Sequence, residues 1–153
     1  MPRLQTEYTE AEESPGLLLW RVTNAWQAAQ RAALKPFGLT HVQFVLLASL
    51  TWLDCDRPVT QRDLAVHAGT DPMMTSQVVR ALEGKSLLER LPHPTDSRAR
   101  ALAVTSRGAD LANRAVVAVE AVDRDYFGPL GADRQRFPAL LRSLVRAPAD
   151  GRT

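Results

Sequence analysis

Five side chains near the middle of the chain could together recognise a nucleic acid. Gln77 carries an amide that can pair with an adenine edge, and Arg80 carries a guanidinium that can pair with a guanine edge or a phosphate. Ser76 can contact either a base or the backbone, and Met73 can touch a thymine methyl group. Thr75 lies at the side of this set and is predicted to hold a phosphate. The alternative is that these residues form an ordinary solvated helix face. The predicted elements before and after them favour one interpretation over the other.

A helix that begins at Pro72 would carry these side chains. Asp71 can cap the free N–H groups at its start, and proline suits the first helical position. Apolar residues at helical spacing predict its buried face, namely Met74, Val78, Ala81 and Leu82. The polar set then falls on the opposite, exposed face.

A shorter helix precedes this one and is predicted to begin at Thr60 and to end at Gly69. Two helices separated by about three residues, with glycine at the turn, indicate a helix-turn-helix. We predict that Gln61 and Arg62, at the start of the shorter helix, also bind DNA.

Two short runs that follow, Leu87–Leu91 and Ala101–Thr105, are predicted to pair as strands around a turn segment, Pro92–Ser97. Arginine on a thin hairpin can enter a minor groove, where the negative potential is strong. The side chains predicted to bind DNA at or beside the tip are His93, Arg98 and Arg100. Asp96 is predicted to orient Arg98, and the alternative is a surface ion pair worth about 0–1 kcal/mol.

The rest of the chain is predicted to form helices. Ser14 and Thr40 are predicted helix caps, with Gln43 reaching back to Thr40, and the helix from residue 41 is apolar almost all round. Thr105 or Ser106 is predicted to cap the long helix after the hairpin, and Asp133 to cap a last helix. The helices at 16–35, 106–127 and 133–146 have apolar surface beyond what a lobe at 40–105 needs, which predicts a second copy as partner. We expect one domain over 1–153, mainly α-helical with a small β-wing.

Composition is ordinary for a soluble globular protein. The chain has 153 residues, 45% hydrophobic and 24% charged, with a formal net charge of +2. Basic charge concentrates in one place, since four arginines stand against one acid between residues 90 and 107. The acidic first residues do not resemble a signal peptide, no apolar run reaches the length of a membrane span, and a single cysteine fits a reducing compartment. We therefore expect a cytoplasmic protein.

A family resemblance becomes specific at the wing. Asp96-Ser97-Arg98, followed by Val104-Thr105-Ser106-Arg107-Gly108, resembles the wing signature of the multiple-antibiotic-resistance regulator (MarR) family. In that family Asp-x-Arg is followed by a Leu-Thr-x-x-Gly step into a long helix. The segment 59–90 resembles its helix-turn-helix and the exit into the wing. Ser86 replaces a glycine of that exit and should make the helix end less ideal, whereas valine at 104 is a mild change.

The resemblance covers roughly residues 17 to 145 and implies how the protein works. It implies a homodimeric winged helix-turn-helix regulator, interpreted as a repressor, which binds a pseudo-palindromic double-stranded operator. A small hydrophobic or phenolic effector would bind between the dimer helices and the DNA-binding lobe and release DNA. The residues that could line such a cleft are Trp20, Trp26, His41, Phe44 and Trp52, and the alternative for each is a place in the core.

Other functions leave weaker signals. Cys55 offers an alternative, a redox-sensing regulator, although its flanking acids, Asp54 and Asp56, should raise the thiol pKa and slow oxidation. A winged helix that binds protein instead of DNA is a second alternative. The three histidines lack metal-ligand spacing, and no phosphate loop or nucleophile motif occurs, so we expect no metal, no cofactor and no enzyme.

Overall fold

The structure is a computed structural model, and it describes residues 1, 3–53 and 57–146. Within these residues six α-helices and one antiparallel hairpin form. In chain order they are α1 (Pro15–Leu34), α2 (His41–Leu53), α3 (Gln61–Ala68), α4 (Pro72–Gly84), β1 (Leu88–Pro92), β2 (Arg100–Val104), α5 (Ser106–Phe127) and α6 (Phe137–Leu144). Short 3-10 segments cover Ala11–Glu13, Lys35–Phe37 and Gly128–Gln135. The predicted fold class, mainly α-helical with a β-wing, is confirmed.

The length and apolarity of these helices bear on membrane insertion. Among the described residues, no single helix is long and apolar enough to cross a bilayer. Only a pair bent by 74°, Pro15–Phe37 with His41–Leu53, reaches that length and composition together.

Local capping explains where most helices begin. The hydroxyls of Ser14, Thr60 and Thr105 accept the N–H groups of the residues three further on, as does the carboxylate of Asp71. Thr40 and its partner glutamine exchange side-chain and backbone hydrogen bonds at the start of α2. These predicted caps are confirmed.

The predicted start of the last helix is wrong. Asp133 does not cap it, because the segment Gly128–Gln135 forms 3-10 turns broken at Gly131, whose φ of 57° and ψ of −125° leave the helical region. Helix α6 begins only at Phe137, after Arg136. Glycine and proline in this segment favour a reversal over a continuous helix.

Helix α2 lies at the centre of the core. Its side chains Phe44, Leu46, Leu47 and Leu50 are buried, and it packs against α1, α3, α4 and α5. This explains why α2 is apolar on all sides. The hairpin pairs Leu88 with Val104 and Pro92 with Arg100, one residue from the predicted strands.

Helix α4 buries a face that is partly displaced from the predicted one. Thr75 and Val79 are fully buried beside Val78 and Leu82, while Met74 is 43% exposed and Ala81 is also exposed. The buried positions still follow helical spacing but are displaced by one residue on one side. The apolar pattern alone could not distinguish the two faces of α4, because the valines at 78 and 79 are adjacent in the chain.

The joint between α4, the hairpin and α5 is tight. The N–H of Ser86 donates to the Glu83 carbonyl, and that of Leu87 to the Leu82 carbonyl, which is a Schellman ending. Ser86 takes the left-handed conformation with a φ of 60°, in the place where glycine is preferred. A Cβ at Gly108 would overlap the Leu87 carbonyl, so the first turn of α5 lies directly on the chain that enters β1.

Candidate nucleic-acid interface

Helix α4 presents the predicted reading face to solvent. Met73 is 74% exposed, Gln77 and Arg80 are exposed, and Ser76 is half-buried. All four lie on the side of α4 away from the core, so their amide, guanidinium, hydroxyl and thioether groups are available together. Their assignment to bases or phosphates stays a prediction.

Thr75 requires a correction. Its side chain is fully buried, and its hydroxyl lies 2.8 Å from the carbonyl oxygen of Asp71 and 2.7 Å from the hydroxyl of Thr70. These local partners satisfy the hydroxyl inside the turn that joins α3 to α4. Thr75 therefore holds the helix-turn-helix together and is not placed to hold a phosphate.

The start of α3 keeps its predicted residues near the surface. Arg62 is exposed and Gln61 is half-buried. Asp63, the third residue of α3, accepts the backbone N–H of Thr60 at 2.9 Å. This hydrogen bond lowers the pKa of the Asp63 carboxyl and keeps it ionised as part of the cap. The DNA-binding roles of Gln61 and Arg62 stay predictions.

The wing tip is built by hydrogen bonds to the backbone. His93 is half-buried, and its Nδ1 accepts the N–H groups of Thr95 at 3.2 Å and Asp96 at 3.1 Å. Asp96 in turn accepts the backbone N–H of Arg98 at 2.9 Å through Oδ1. The expected side-chain pair between Asp96 and Arg98 does not form among the described residues, so Asp96 shapes the chain at Arg98 and leaves its guanidinium exposed.

A charged groove of about 720 Å³ separates α4 from the hairpin. The residues that line it are Ser76, Arg80, Glu83, Glu89, Arg90 and Arg100. Two of the predicted arginines therefore face the same space, while Glu83, Glu89 and Arg90 were not predicted as site residues. Nε of Arg90 donates to Oε2 of Glu83 at 3.0 Å across the corner between α4 and β1.

A second cleft, of about 500 Å³, lies between α1, α2 and the start of α4. Trp26 and His41 line it as predicted, with ring centroids 5.1 Å apart in an edge-to-face contact. The other three predicted residues do not line this cleft. Phe44 belongs to the core, and Trp20 and Trp52 are 69% and 79% exposed because they lie on other faces of α1 and α2.

Polar groups surround the aromatic pair. Nε1 of Trp26 and Nε2 of Gln30 each donate to Oδ1 of Asp123 on α5 at 2.8 Å. Burial lowers the pKa of His41, and the nearby charge of Arg31 lowers it further, while Asp123 opposes both effects. Arg31 also lines the cleft. The cleft thus combines an aromatic wall with one cation.

Two further predictions concern metal binding and Cys55. No group of three or more potential metal ligands occurs in the part of the chain that the structure describes. Cys55, the basis of the redox alternative, lies outside the described residues.

Known proteins resemble this chain over nearly its whole length. The family model described as the MarR family matches residues 39–99. An uncharacterised HTH-type transcriptional regulator of Bacillus subtilis, YdcH, is 37% identical over 92% of this chain and 96% of its own length.

Three solved structures extend the comparison. CouR of Rhodococcus jostii, in complex with p-coumaroyl-CoA, has a TM-score of 0.79 and 28% identity over 90% of this chain and 93% of its own. CouR bound to a 23-mer DNA duplex has a TM-score of 0.78 and 25% identity over 94% and 100%. The protein Rv2887 of Mycobacterium tuberculosis, in complex with salicylic acid, has a TM-score of 0.66 and 33% identity over 90% and 98%. The chain belongs to the MarR family of transcriptional regulators, which are not enzymes.

Proposed function

We propose that the protein is a homodimeric repressor that binds a pseudo-palindromic operator and releases it when a small aromatic acid occupies the cleft beside Trp26. One observation carries the proposal most strongly. The exposed face of α4 and the arginines of the hairpin lie on either side of a single groove. A helix in a major groove and a hairpin in the adjacent minor groove need this arrangement. We also infer that it acts in the cytoplasm, where it can reach DNA.

The exposed apolar surface supports dimerisation. Leu18, Leu19 and Trp20 on α1, together with Leu140 and Leu144 on α6, are between 41% and 69% exposed. Monomeric proteins rarely leave several large apolar side chains uncovered on elements at both ends of the chain. A second copy would cover them. Two reading helices roughly 34 Å apart would then enter successive major grooves on one face of the DNA.

The position of the cleft supports a ligand-induced change. Its wall includes Trp26 from α1, His41 from α2 and Met74 from the first turn of α4. A bound molecule would therefore touch both a proposed dimer helix and the reading helix. For a population shift, the ligand must bind more tightly to the spacing that does not fit DNA.

The chemistry of the cleft favours an aromatic carboxylate. Trp26 offers an aromatic edge and face, and Arg31 offers a cation that can bind a carboxylate. Salicylic acid is bound by the Rv2887 structure and p-coumaroyl-CoA by a CouR structure. Both molecules contain a phenol ring, which agrees with the phenolic effector predicted from the family resemblance.

Selection of duplexes from a random DNA pool tests the proposal. We expect an enriched palindrome whose half-sites are about one helical turn apart. Salicylate and p-coumarate are then titrated into the complex, with Trp26→Ala as the variant and Trp52→Ala as the matched control outside the cleft. The first should abolish ligand-induced release and the second should keep it. Failure to enrich any duplex would favour a protein-binding winged helix instead.

A further inference from the structure

The groove between α4 and the hairpin contains one arginine that is held in place. Nε of Arg90 donates to Glu83 at 3.0 Å, and the two side chains are 31% and 44% exposed. This is the only side-chain hydrogen bond of Arg90 to any residue that the structure describes. The two terminal amino groups of its guanidinium are therefore left for another acceptor.

The other two arginines of the groove are not fixed in this way. Neither Arg80 nor Arg100 forms an ion pair within the described ranges, and both are exposed. A long exposed side chain loses conformational freedom when it binds a ligand, so a side chain that is already held loses less. Among the three cations, Arg90 is thus the one prepared for binding.

The occupant of the groove follows from the proposed function, on which this inference rests. A sugar–phosphate backbone separates the major groove from the minor groove of duplex DNA. A protein that places α4 in one groove and its hairpin in the other must let that backbone pass between them. The groove lined by Arg80, Arg90 and Arg100 lies in that position.

We propose that Arg90 binds a phosphate of this backbone and that Glu83 is its positioning residue. Glu83 occupies the Nε edge of the guanidinium and directs the terminal amino groups away from itself. Guanidinium presents several N–H donors in a rigid plane, so it can bind a carboxylate on one edge and a phosphate on another. Because a phosphate occurs at every position of a duplex, Arg90 supports affinity on all sequences alike.

Glu83 then has two opposing effects. Its carboxylate fixes Arg90 but also repels a phosphate nearby. Glutamine at this position keeps an oxygen that accepts from Nε and removes the charge, whereas alanine removes both. Glu83→Gln should therefore bind DNA as tightly as the natural protein or more tightly, and Glu83→Ala should bind more weakly than Glu83→Gln.

The test measures dissociation constants on the selected operator and on an unrelated duplex of equal length over a series of salt concentrations. Arg90→Ala should weaken binding to both duplexes by the same factor. It should flatten the slope of log K against log salt by about 0.9 for each phosphate that is no longer neutralised, or about 1.8 for a dimer. Between 50 and 200 mM salt, the variant should then lose about tenfold less affinity than the natural protein.

Arg114→Ala is the matched control, because Arg114 on α5 is paired with Asp110 at 3.0 Å and does not line the groove. It should leave the slope unchanged. Circular dichroism and the thermal midpoint check that every variant folds, as expected for residues at the surface.

Several results would overturn the proposal. If the natural protein binds the operator but Arg90→Ala changes neither affinity nor slope, Arg90 does not bind phosphate. If the reduction in affinity is confined to the operator, Arg90 reads bases. If Glu83→Ala binds as tightly as Glu83→Gln, the carboxylate only repels DNA and positions nothing. If the natural protein binds no duplex at all, the proposed function itself fails.

Discussion

Replacing Ser86 by glycine should stabilise this protein. Ser86 has a φ of 60°, and its Cβ makes this conformation unfavourable by roughly 1–2 kcal/mol relative to the right-handed region. Its backbone N–H and that of Leu87 complete the hydrogen bonds that end α4, so the conformation cannot relax without losing them. The side-chain hydroxyl of Ser86 makes no hydrogen bond to the described residues that its removal would break.

The net gain is smaller than the strain. Glycine makes the unfolded chain more flexible, which costs about 0.4–1 kcal/mol of stability. The midpoints of these two ranges differ by about 0.8 kcal/mol in favour of Ser86→Gly. For a chain of 153 residues, each kcal/mol shifts the midpoint by about 2–4 °C, so the melting temperature should rise by about 2–3 °C.

The assay is thermal unfolding followed by circular dichroism at one fixed protein concentration, because a dimer melts at a concentration-dependent temperature. Gly38→Ser is the matched control. Gly38 has a φ of 67° at the end of another helical segment, and a Cβ there would meet open space. It should lower the melting temperature by a similar amount. A melting temperature of Ser86→Gly that is unchanged or lower would refute the strain at this joint.

Three further predictions concern the joint, the cleft and the reading face. Gly108→Ala should destabilise the protein by at least about 2 kcal/mol in urea unfolding, because its Cβ would overlap the rigid carbonyl of Leu87; a smaller effect would mean that α5 can shift. The folded-state pKa of His41 lies below its ordinary value, so the unfolded chain takes up the proton first and stability should fall as pH drops below about 6.5. His41→Asn should flatten this dependence, and an equal slope in both proteins would contradict the assignment. In binding competitions, Gln77→Ala should relax sequence preference by about 1–3 kcal/mol at one position, whereas Arg98→Ala should weaken all sequences and reduce the salt slope; the reverse pattern would exchange the two roles.

The features that the sequence predicted well depend on neighbours in the chain. A cap needs only a short polar side chain and the free N–H groups two or three residues later, so Ser14, Thr60 and Asp71 could be identified directly. The unfavourable conformation of Ser86 at the end of α4 could also be anticipated, because the family resemblance puts glycine there. The wing signature predicted the order of hairpin and long helix in the same way.

The features that the sequence predicted poorly depend on turns between helices and on helix packing, which periodic spacing does not describe. Thr75 is polar, yet Thr70 and Asp71 satisfy its hydroxyl, so it can be buried where an apolar residue was expected. Trp26 lines the cleft while Trp52 is exposed, and this difference depends on how α1 and α2 pack. The contact between Glu83 and Arg90 crosses a helix end and a turn, which no periodic pattern describes.

Helix α4 is attached differently at its two ends, and this asymmetry bears on the proposed release of DNA. At its C-terminal end, Leu87 lies against Gly108 without space for a methyl group, so this end must move together with α5. At its N-terminal end, Met74 is 43% exposed and borders the open cleft beside Trp26, so a ligand can displace this end together with the turn to which Thr75 ties it. A molecule in the cleft should therefore tilt α4 about its joint with α5 instead of translating it. Tilting moves Met73 and Gln77, in the first half of α4, further than Arg90 beside the joint, so base contacts should weaken before phosphate contacts do.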